Sequence, residues 1–429
     1  MMSAPEPLGL SGLPPAQPDR VIADLRELAA LTGGLEGARR VCWTPEWVAA
    51  RDWLRGKLAQ VYSSDGAPAQ VEVDPAGNLW ATLRGRSADA VVVGSHIDSV
   101  PNGGWLDGAL GITGALEVLR QYSGVDLPVT LRLVDWADEE GARFGRSLFG
   151  SSAAAGTLDP DALRALRDRD GLLLPDVLAE HGVRIDRARD AGSQLERVAA
   201  YLELHIEQGP VLEEQGLAIG PVLGTFGVER HAIRFSGRTS HAGSTPMRLR
   251  HDAFLCAARL GLEVRESARR LGGVATMGSC TTEPGIVTAI AGACTVTLDQ
   301  RCLDADALAA MLGEARRASE RIAAEEGTTV EWERLWRIEP IPFHPQLIVF
   351  AEQACQEAAG AYLALPSGAL HDAAEMARRL PTVMMFTSST GGVSHNRIED
   401  TPLAHLELGV RAYSRLAART IGWVAAGAR

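Results

Sequence analysis

The chain has 429 residues, of which 46% are hydrophobic and 22% are charged, a composition typical of a globular protein. Its net charge of −12 leaves no basic excess for binding phosphate backbones, so we do not expect a nucleic-acid partner. The sequence contains no uninterrupted apolar run of about 18 residues, so we predict no membrane span. A chain of this length is expected to form two or more domains.

The N-terminal segment and the cysteines indicate where the protein works. Residues 1–19 are rich in proline and lack a basic stretch followed by an apolar core, so we interpret them as a flexible leader and not as a secretory signal. The six cysteines are scattered and include no CxxC pair, as expected of reduced thiols that serve in packing. We therefore expect a cytoplasmic protein with no membrane partner.

Apolar strand patterns alternate with helical patterns along much of the chain. Strands are predicted at 91–94, 128–137, 201–207 and 382–386, and helices at 109–122 and 371–379. This alternation predicts an α/β domain with a largely parallel central sheet. In such sheets the ligand site lies beyond the carboxyl ends of the strands, where polar clusters occur in this sequence.

The pattern changes in the middle of the chain. There the predicted elements follow the order β-α-β-β-α-β, which is the ferredoxin-like arrangement. We therefore predict that residues 218–331 form a smaller α+β domain inserted into a discontinuous larger one, which comprises residues 20–217 and 332–429.

A histidine and two aspartates follow the first predicted strand. His96 and Asp98 are two positions apart, so continued strand geometry would place their side chains on one face, where the aspartate can orient the histidine. This spacing alone is more typical of an ordinary hydrogen-bonded pair. Asp107 lies in GGWLDG, whose glycines allow a tight turn back to the strand end. Its alternative role is to cap the helix that starts at Ala109.

Further histidines and carboxylates follow the later strands. Glu139 and Glu140 are adjacent, so in extended backbone one can face a metal and the other a substrate; the alternative is a solvated acidic turn. His205 and Glu207 repeat the spacing of a histidine and a carboxylate, and His395 lies in a Gly/Ser-rich loop. Each histidine alone is more often structural. Three histidines with an aspartate and a glutamate at successive strand ends are seldom produced by packing.

The types of side chain in this set indicate a metal site. Imidazole and carboxylate without thiolate suit zinc, or alternatively manganese, cobalt or nickel. Five ligands are too many for one catalytic zinc, which normally takes three protein ligands and a water. If Asp107 is shared, the set divides into three ligands for each of two ions.

Five motifs stand in a fixed order along the chain. They are HIDSVPNGGWLDGALG, DEEGARFGRSLFGS, ELHIEQGPVLEEQG, GRTSHAGSTPMRLRHDA, and SGALHDAAEMA with SHNRIEDT. In this order the chain resembles the M20 metallopeptidase-like family, and more narrowly its hydantoinase/carbamoylase branch, from about residue 20 to residue 425. The resemblance implies a zinc-peptidase-like catalytic domain with a central mixed sheet, and an inserted domain that serves as lid and dimerisation domain.

The resemblance also implies roles for the residues of the predicted metal site. His96, Asp107 and His205 would hold one divalent metal, and Asp107, Glu140 and His395 the other. Two such ions share a water or hydroxide and lower its pKa. Glu139 would be the general base that takes the proton and passes it to the departing nitrogen, and Asp98 would be the partner of His96.

Several residues outside this cluster match substrate-binding positions of the family. His241 in SHAGSTPM matches a histidine that stabilises the oxyanion, commonly from the partner subunit of a homodimer, whereas a loop histidine of this kind otherwise caps local backbone. Arg301 matches the arginine that binds the substrate carboxylate. Gln208 matches a glutamine that contacts substrate, and His371 is expected near the substrate pocket.

The chain departs from the family in two places. Where the family usually carries an asparagine, in a segment resembling PNAVNVVPG, this chain has PGIVTAIAG with Thr288 at the asparagine position. The loss of a two-donor amide changes how a ureido or carboxylate group is held. Leu370 also stands where the branch more often has glycine. Both changes leave the predicted metal site intact.

These observations predict a dinuclear-metal amidohydrolase that cleaves a linear C–N amide bond of a small N-carbamoyl or ureido acid. The alternatives are an allantoate-type amidohydrolase, or an M20 aminoacylase or dipeptidase that accepts N-acyl amino acids. A non-catalytic binding protein on the same fold is a third reading, but it would have no need of Glu139 beside the ligands.

Overall fold

A computed structural model of the chain describes residues 14–428. The predicted leader therefore lies mostly outside the described residues, and the first helix already begins at Pro18. The chain forms two compact units. The first contains the residues up to Leu223 and those from Phe343 onward, and the second is Gly224–Pro342. Among the described residues, no helix is long and apolar enough to cross a membrane.

The strands within residues 14–428 are as follows, in chain order. They are β1 (Gly33–Gly34), β2 (Gly37–Ala38), β3 (Gln70–Val73), β4 (Leu79–Leu83), β5 (Ser87–His96), β6 (Val129–Trp136), β7 (Val198–Ile206), β8 (Ile219–Thr225), β9 (Gly227–Ser236), β10 (Ser240–His241), β11 (Val274–Thr276), β12 (Cys280–Glu283), β13 (Ala289–Ile290), β14 (Ala293–Cys302), β15 (Thr329–Ile338), β16 (Ile341–Pro342), β17 (Leu365–Ser367) and β18 (Thr382–Thr387).

The helices of the same residues complete the list of elements. They are α1 (Pro18–Thr32), α2 (Pro45–Leu58), α3 (Ala109–Gln121), α4 (Phe149–Ala155), α5 (Pro160–Leu163), α6 (Leu174–Glu180), α7 (Val211–Glu214), α8 (Ala253–Leu271), α9 (Ala305–Glu326), α10 (Pro345–Ala359), α11 (Asp372–Ala377) and α12 (Leu403–Ala425). Short 3₁₀ segments lie at Ile185–Leu195, Met247–Leu249 and Thr390–Gly392.

The large sheet is mixed, in the order β16-β8-β18-β7-β5-β6-β4-β3, with β17 paired to β8. Its four central strands, β18, β7, β5 and β6, run parallel, whereas β4 and β8 join them antiparallel. The carboxyl ends of the parallel strands therefore meet at one edge of the sheet. These four strand ends are His96, Trp136, Ile206 and Thr387, and the predicted metal-site residues lie at them or in the loops that follow.

The centre of this sheet is buried on both faces. The three valines at 91–93 and all eight residues of β6 are buried. Strands that are buried along their length are typical of parallel sheets covered by helices on both sides. Helix α3 is buried along nearly its whole length and packs against β5, β6 and β7. The strand ends at the edge are thus fixed by the surrounding core.

The second unit has the antiparallel strand order β11-β14-β9-β15, and β12 also pairs with β14. Helices α8 and α9 cover one face, where Ile233, Phe235, Val296 and Leu298 form a core with them. The sequence VATMGSC at 274–280, which has the pattern of a single strand, forms two short strands, β11 and β12, separated by residues 277–279. Gly278 lies in this gap, and glycine weakens a strand because it has no side chain to pack.

Candidate metal centre

His96 is the last residue of β5, and Asp107 returns to it through the loop that follows. Gly108, directly after Asp107, has a φ of +64°, and a Cβ at this position would lie 2.4 Å from the His96 ring. Only glycine therefore allows the loop to approach the histidine this closely. The side chain of Asp107 does not cap α3, whose N-cap is Gly108. The alternative role as a helix cap was wrong.

Asp107 faces two buried histidines with one of its carboxylate oxygens. Its Oδ1 lies 3.2 Å from His205 Nε2 and 3.7 Å from His96 Nε2. The Nε2 atom of His205 is buried and finds no hydrogen-bond partner among residues 14–428. Imidazole nitrogens gathered around a carboxylate oxygen are donors that suit a divalent metal ion. These three residues form a group that could hold a metal ion.

The second oxygen of Asp107 faces a second group of ligand atoms. Its Oδ2 lies 3.3 Å from His395 Nε2, which in turn lies 3.4 Å from Glu140 Oε2. The ligand atoms of Asp107, Glu140 and His395 all lie within 4.8 Å of one another. The structure therefore brings together all five residues predicted as ligands, with Asp107 between the two groups.

Glu139 is buried beside the first group. Its Oε2 lies 3.8 Å from His96 Nε2, and only 8% of the residue is exposed. Asp98 fixes this segment, because its two carboxylate oxygens accept hydrogen bonds from the backbone N–H groups of Glu139 and Glu140. His96 Nδ1 is closer to the carbonyl oxygen of Asp98, at 3.1 Å, than to its carboxylate, at 3.6 Å. Asp98 therefore contacts both His96 and the segment that carries Glu139 and Glu140.

Burial and neighbouring charges shift the pKa values of several residues in the site. Burial raises the pKa of Glu139 well above its usual range, and the positive charge of His96 opposes this shift. Burial and the charge of Asp107 raise the pKa of Glu140 to about 7. The hydrogen bond with Asp107 raises the pKa of His395 to about 9. Such a cluster of buried anions and histidines is what divalent cations compensate.

Two residues that we did not predict, Glu399 and Arg40, contact the segments that carry the predicted ligands. Glu399 is buried, its Oε1 accepts hydrogen bonds from the N–H groups of Leu106 and Asp107, and its Oε2 accepts one from the Ser394 hydroxyl. It therefore ties the loop of Asp107 to the loop of His395. The signal available in the sequence was a carboxylate in SHNRIEDT, a motif we had already singled out.

The second unpredicted residue is Arg40, which is fully buried. Its Nε donates to the carbonyl oxygen of Ile97, directly after His96. Burial lowers the pKa of Arg40, and the negative charges of Asp107 and Asp98 oppose this shift. The guanidinium thus offsets part of the negative charge of the cluster.

Glu207 does not serve His205 as the repeated spacing suggested. Its carboxylate accepts hydrogen bonds from the N–H groups of Val211 and Leu212, at the start of α7. His205 Nδ1 instead lies 2.9 Å from the carbonyl oxygen of Ile206. This prediction was wrong because β7 ends at Ile206 and the chain turns there.

Gln208 and His371 lie beside the predicted ligands. Gln208 Nε2 donates to Asp107 Oδ2 at 2.9 Å, so this amide holds the central carboxylate. The ring of His371 packs on that of His205 with centroids 4.4 Å apart, and its Nε2 lies 3.1 Å from the Ser367 hydroxyl. His371 is only 2% exposed, and in this structure its ring supports that of His205.

In the second unit, His241 and Thr288 are neighbours. His241 in β10 pairs with Ala289 in β13, and the N–H of Ala242 donates to the carbonyl oxygen of Thr288. The exposed His241 ring accepts backbone N–H bonds from Gly243 and Ser244 at Nδ1. A neutral imidazole that accepts at Nδ1 carries its proton on Nε2, so that nitrogen is a donor.

Arg301 lies elsewhere in the same unit, near the end of β14. Its Nε donates to Asp299 Oδ1 at 2.7 Å. The same carboxylate accepts two bonds from Arg230 on β9, so two arginines share one aspartate. Sequence reasoning had singled out Arg301 but had not assigned Arg230 or Asp299.

Comparisons with known proteins cover nearly the whole chain. The peptidase family M20/M25/M40 matches residues 92–419. The chain is 38% identical to an N-carbamoyl-L-amino acid amidohydrolase of Geobacillus stearothermophilus, over 85% of this chain and 88% of the relative. It is 32% identical to an allantoate amidohydrolase of Escherichia coli (strain K12), over 87% and 91% of the two chains. Among solved structures, a hydantoinase/carbamoylase family amidase from Burkholderia phymatum has a TM-score of 0.83 at 32% identity and covers 96% of this chain and 99% of its own.

Proposed function

The chain belongs to the peptidase family M20/M25/M40, in its hydantoinase/carbamoylase branch, and on that premise we propose that it is a metal-dependent amidohydrolase of N-carbamoyl or ureido acids. The reaction hydrolyses a C–N bond of a linear amide. Removal of a carbamoyl group with one water yields the amino acid, ammonia and carbon dioxide.

One observation carries this proposal: Asp107 directs its two oxygens toward two different sets of ligand atoms. His205 faces one oxygen and His395 the other, at 3.2 and 3.3 Å. A protein that only packed its core would have little reason to bury this arrangement next to a second carboxylate, Glu139, that lies outside both sets.

The residues present fit two divalent metal ions. His96, Asp107 and His205 would hold one, and Asp107, Glu140 and His395 the other. Nitrogen and oxygen donors without thiolate suit zinc, and also manganese, cobalt and nickel. When bound, such ions polarise a carbonyl oxygen and make water a better nucleophile.

Glu139 is the proton carrier in this proposal. It is buried, and its backbone is held by Asp98, so its position is fixed. It would take a proton from the attacking water and deliver it to the departing nitrogen, and burial, which raises the pKa of Glu139, makes its carboxylate a better proton acceptor.

The second unit would supply the groups that bind the rest of the substrate. The Nε2–H of His241 is a donor suited to a developing oxyanion, and the planar guanidinium of Arg301 suits a carboxylate. We also infer that this unit serves as lid and dimerisation domain of a homodimer, in which His241 acts on the partner's substrate. Mixing a His241→Ala subunit with a Glu139→Gln subunit should then restore part of the activity, whereas a heterodimer without activity would place His241 in cis.

The main experiment measures ammonia release from a panel of substrates. Protein loaded with zinc, manganese or cobalt is assayed against N-carbamoyl-L-amino acids, allantoate and N-acetyl amino acids. We expect turnover of the ureido compounds and little turnover of the N-acetyl compounds. Turnover of the N-acetyl compounds alone would favour an aminoacylase, and no turnover of any compound by protein with two bound metals would contradict the proposal.

A further inference from the structure

The sheet of the second unit carries a row of charged and aromatic side chains on the face away from its helices. Ile233 and Phe235 of β9 pack under α8 and α9, so Arg230, an odd number of positions before both, points to the opposite face. Trp336 of β15 and Asp299 of β14 are its direct neighbours on the two adjacent strands. Arg301 lies two positions beyond Asp299 and thus on the same face.

Asp299 lies between the two arginines and is bonded to both. Arg301 Nε donates to its Oδ1 at 2.7 Å, and Arg230 Nε and Nη2 donate to its Oδ2 at 2.9 and 2.7 Å. The Arg230 guanidinium also lies over the Trp336 ring, 5.3 Å from its centroid. Burial raises the pKa of Asp299, but the bonds from Arg301 and Arg230 outweigh it and lower the pKa overall. The aspartate is therefore charged at neutral pH.

Two cations and one anion leave this group with one net positive charge. If Arg230 were absent, Asp299 and Arg301 would form a neutral pair, which offers an approaching carboxylate no net positive charge. Arg230 also draws Asp299 toward β9 and β15 through its two bonds. Its role is thus to restrain the aspartate and to offset the negative charge of Asp299 beside Arg301.

We propose that Arg230 is a positioning and specificity-determining residue for Arg301, which makes the enzyme select substrates with a free carboxylate. The inference rests on the proposed function, in which Arg301 binds that carboxylate. It assigns to Arg230 no contact with the reacting atoms.

The sheet provides a matched control. Arg234 lies on the same strand and the same face as Arg230, and the two side chains are 42% and 40% exposed. Arg234 donates to Glu283 and Thr295 and does not contact Asp299. Exposed ion pairs of this kind contribute little to stability, so both arginines can be replaced in a folded protein.

The experiment compares Arg230→Gln, Arg230→Lys and Arg234→Gln in the metal-loaded enzyme. Each is assayed with an N-carbamoyl-L-amino acid and with the corresponding amide, in which the carboxylate is replaced by a neutral carboxamide. For Arg230→Gln we expect KM for the acid to rise about tenfold, which equals about 1.4 kcal/mol of binding free energy. We expect kcat to stay within about twofold, the amide to be unaffected, and lysine to restore part of the affinity, because it keeps the charge but not the fork of donors.

A merely structural role of Arg230 would give a different result. Equal losses for the acid and the amide, a fall in kcat alone, or an equal effect of Arg234→Gln would each overturn the proposal. If Arg230→Gln does not fold, as judged by thermal melting, the lysine variant alone decides, because an unchanged acid-to-amide preference in it contradicts the expected partial loss. Failure of the proposed function is distinct, since it would appear as a lack of ureido hydrolysis in the unchanged enzyme.

Discussion

The two regions that carry functional residues are built in opposite ways. The metal centre of the first unit draws on the ends of four strands, and its residues are held by several neighbours at once. The Asp107 carboxylate accepts hydrogen bonds from Gln208 and Ser394, and its backbone N–H donates to Glu399. In the second unit, Arg230, Asp299 and Arg301 lie on the adjacent strands β9 and β14 and are partly exposed, and Asp299 is held there by the two arginines. A change in the first region should therefore spread to the whole site, whereas a change at the arginines of the second should affect mainly substrate affinity.

The largest effect is expected from Glu139→Gln. The amide keeps the shape of the side chain but cannot accept the proton, so kcat should fall by about 10²–10⁴-fold. Glu139 belongs to neither ligand group, so metal content, measured by elemental analysis, should stay the same. A parallel loss of metal would show instead that Glu139 is a ligand.

Glu117→Gln is the control for burying an amide in place of a carboxylate. Glu117 is as deeply buried as Glu139 and belongs to the same unit, but it pairs with Arg20 on α1. This variant should lower the melting temperature and leave kcat nearly unchanged. A similar fall in kcat for both variants would mean that the loss at Glu139 reflects general damage to the core.

A smaller effect is expected from Glu399→Ala, which tests whether the metal centre depends on residues that hold its ligand loops. The change leaves the buried N–H groups of Leu106 and Asp107 without their acceptor and loosens the loop that carries the central carboxylate. Residues that orient metal ligands typically change metal affinity by about 10–100-fold. The affinity can be measured by competition with a chelating dye.

Glu399→Gln is the matched variant, because its amide oxygen can still accept from both N–H groups. It should lose much less affinity than Glu399→Ala. Equal affinities of the alanine variant and the unchanged protein would contradict the view that the metal centre depends on its surroundings.

The same contrast explains what could be predicted from the sequence. The ligands follow predicted strands, and because parallel strands end at a common edge, their order along the chain was enough to bring His96, His205 and His395 together. The role of Glu399 depends on a contact with a loop almost 300 positions earlier, which no local pattern records. Glu207 was misread for a local reason: Gln208 has a φ of +58°, so the strand spacing does not continue past Ile206.

The second unit adds a further limit on prediction. Its helices and strands follow clear periodic patterns, but the partner of Arg301 depends on strand register. Asp299 is two positions from Arg301 in the sequence, so this pair could have been predicted from strand spacing. Arg230 comes from another strand and becomes a neighbour of Asp299 only because β9 pairs with β14. Register of this kind is set by the packing of the whole sheet.

The smallest effect is expected from Thr288→Asn, which introduces the asparagine that the family usually carries at this position. Thr288 is exposed, and its carbonyl oxygen is bonded to Ala242, next to His241. One added hydrogen bond to a substrate should lower KM for N-carbamoyl-L-amino acids by about threefold, within the range of a single neutral bond. Val287→Asn, at the neighbouring position with 98% exposure, should have no effect. Since Thr288 is expected to act on substrate affinity alone, a change in metal content or a large change in kcat on Thr288→Asn would show that the two regions are coupled, and that the contrast between them is too simple.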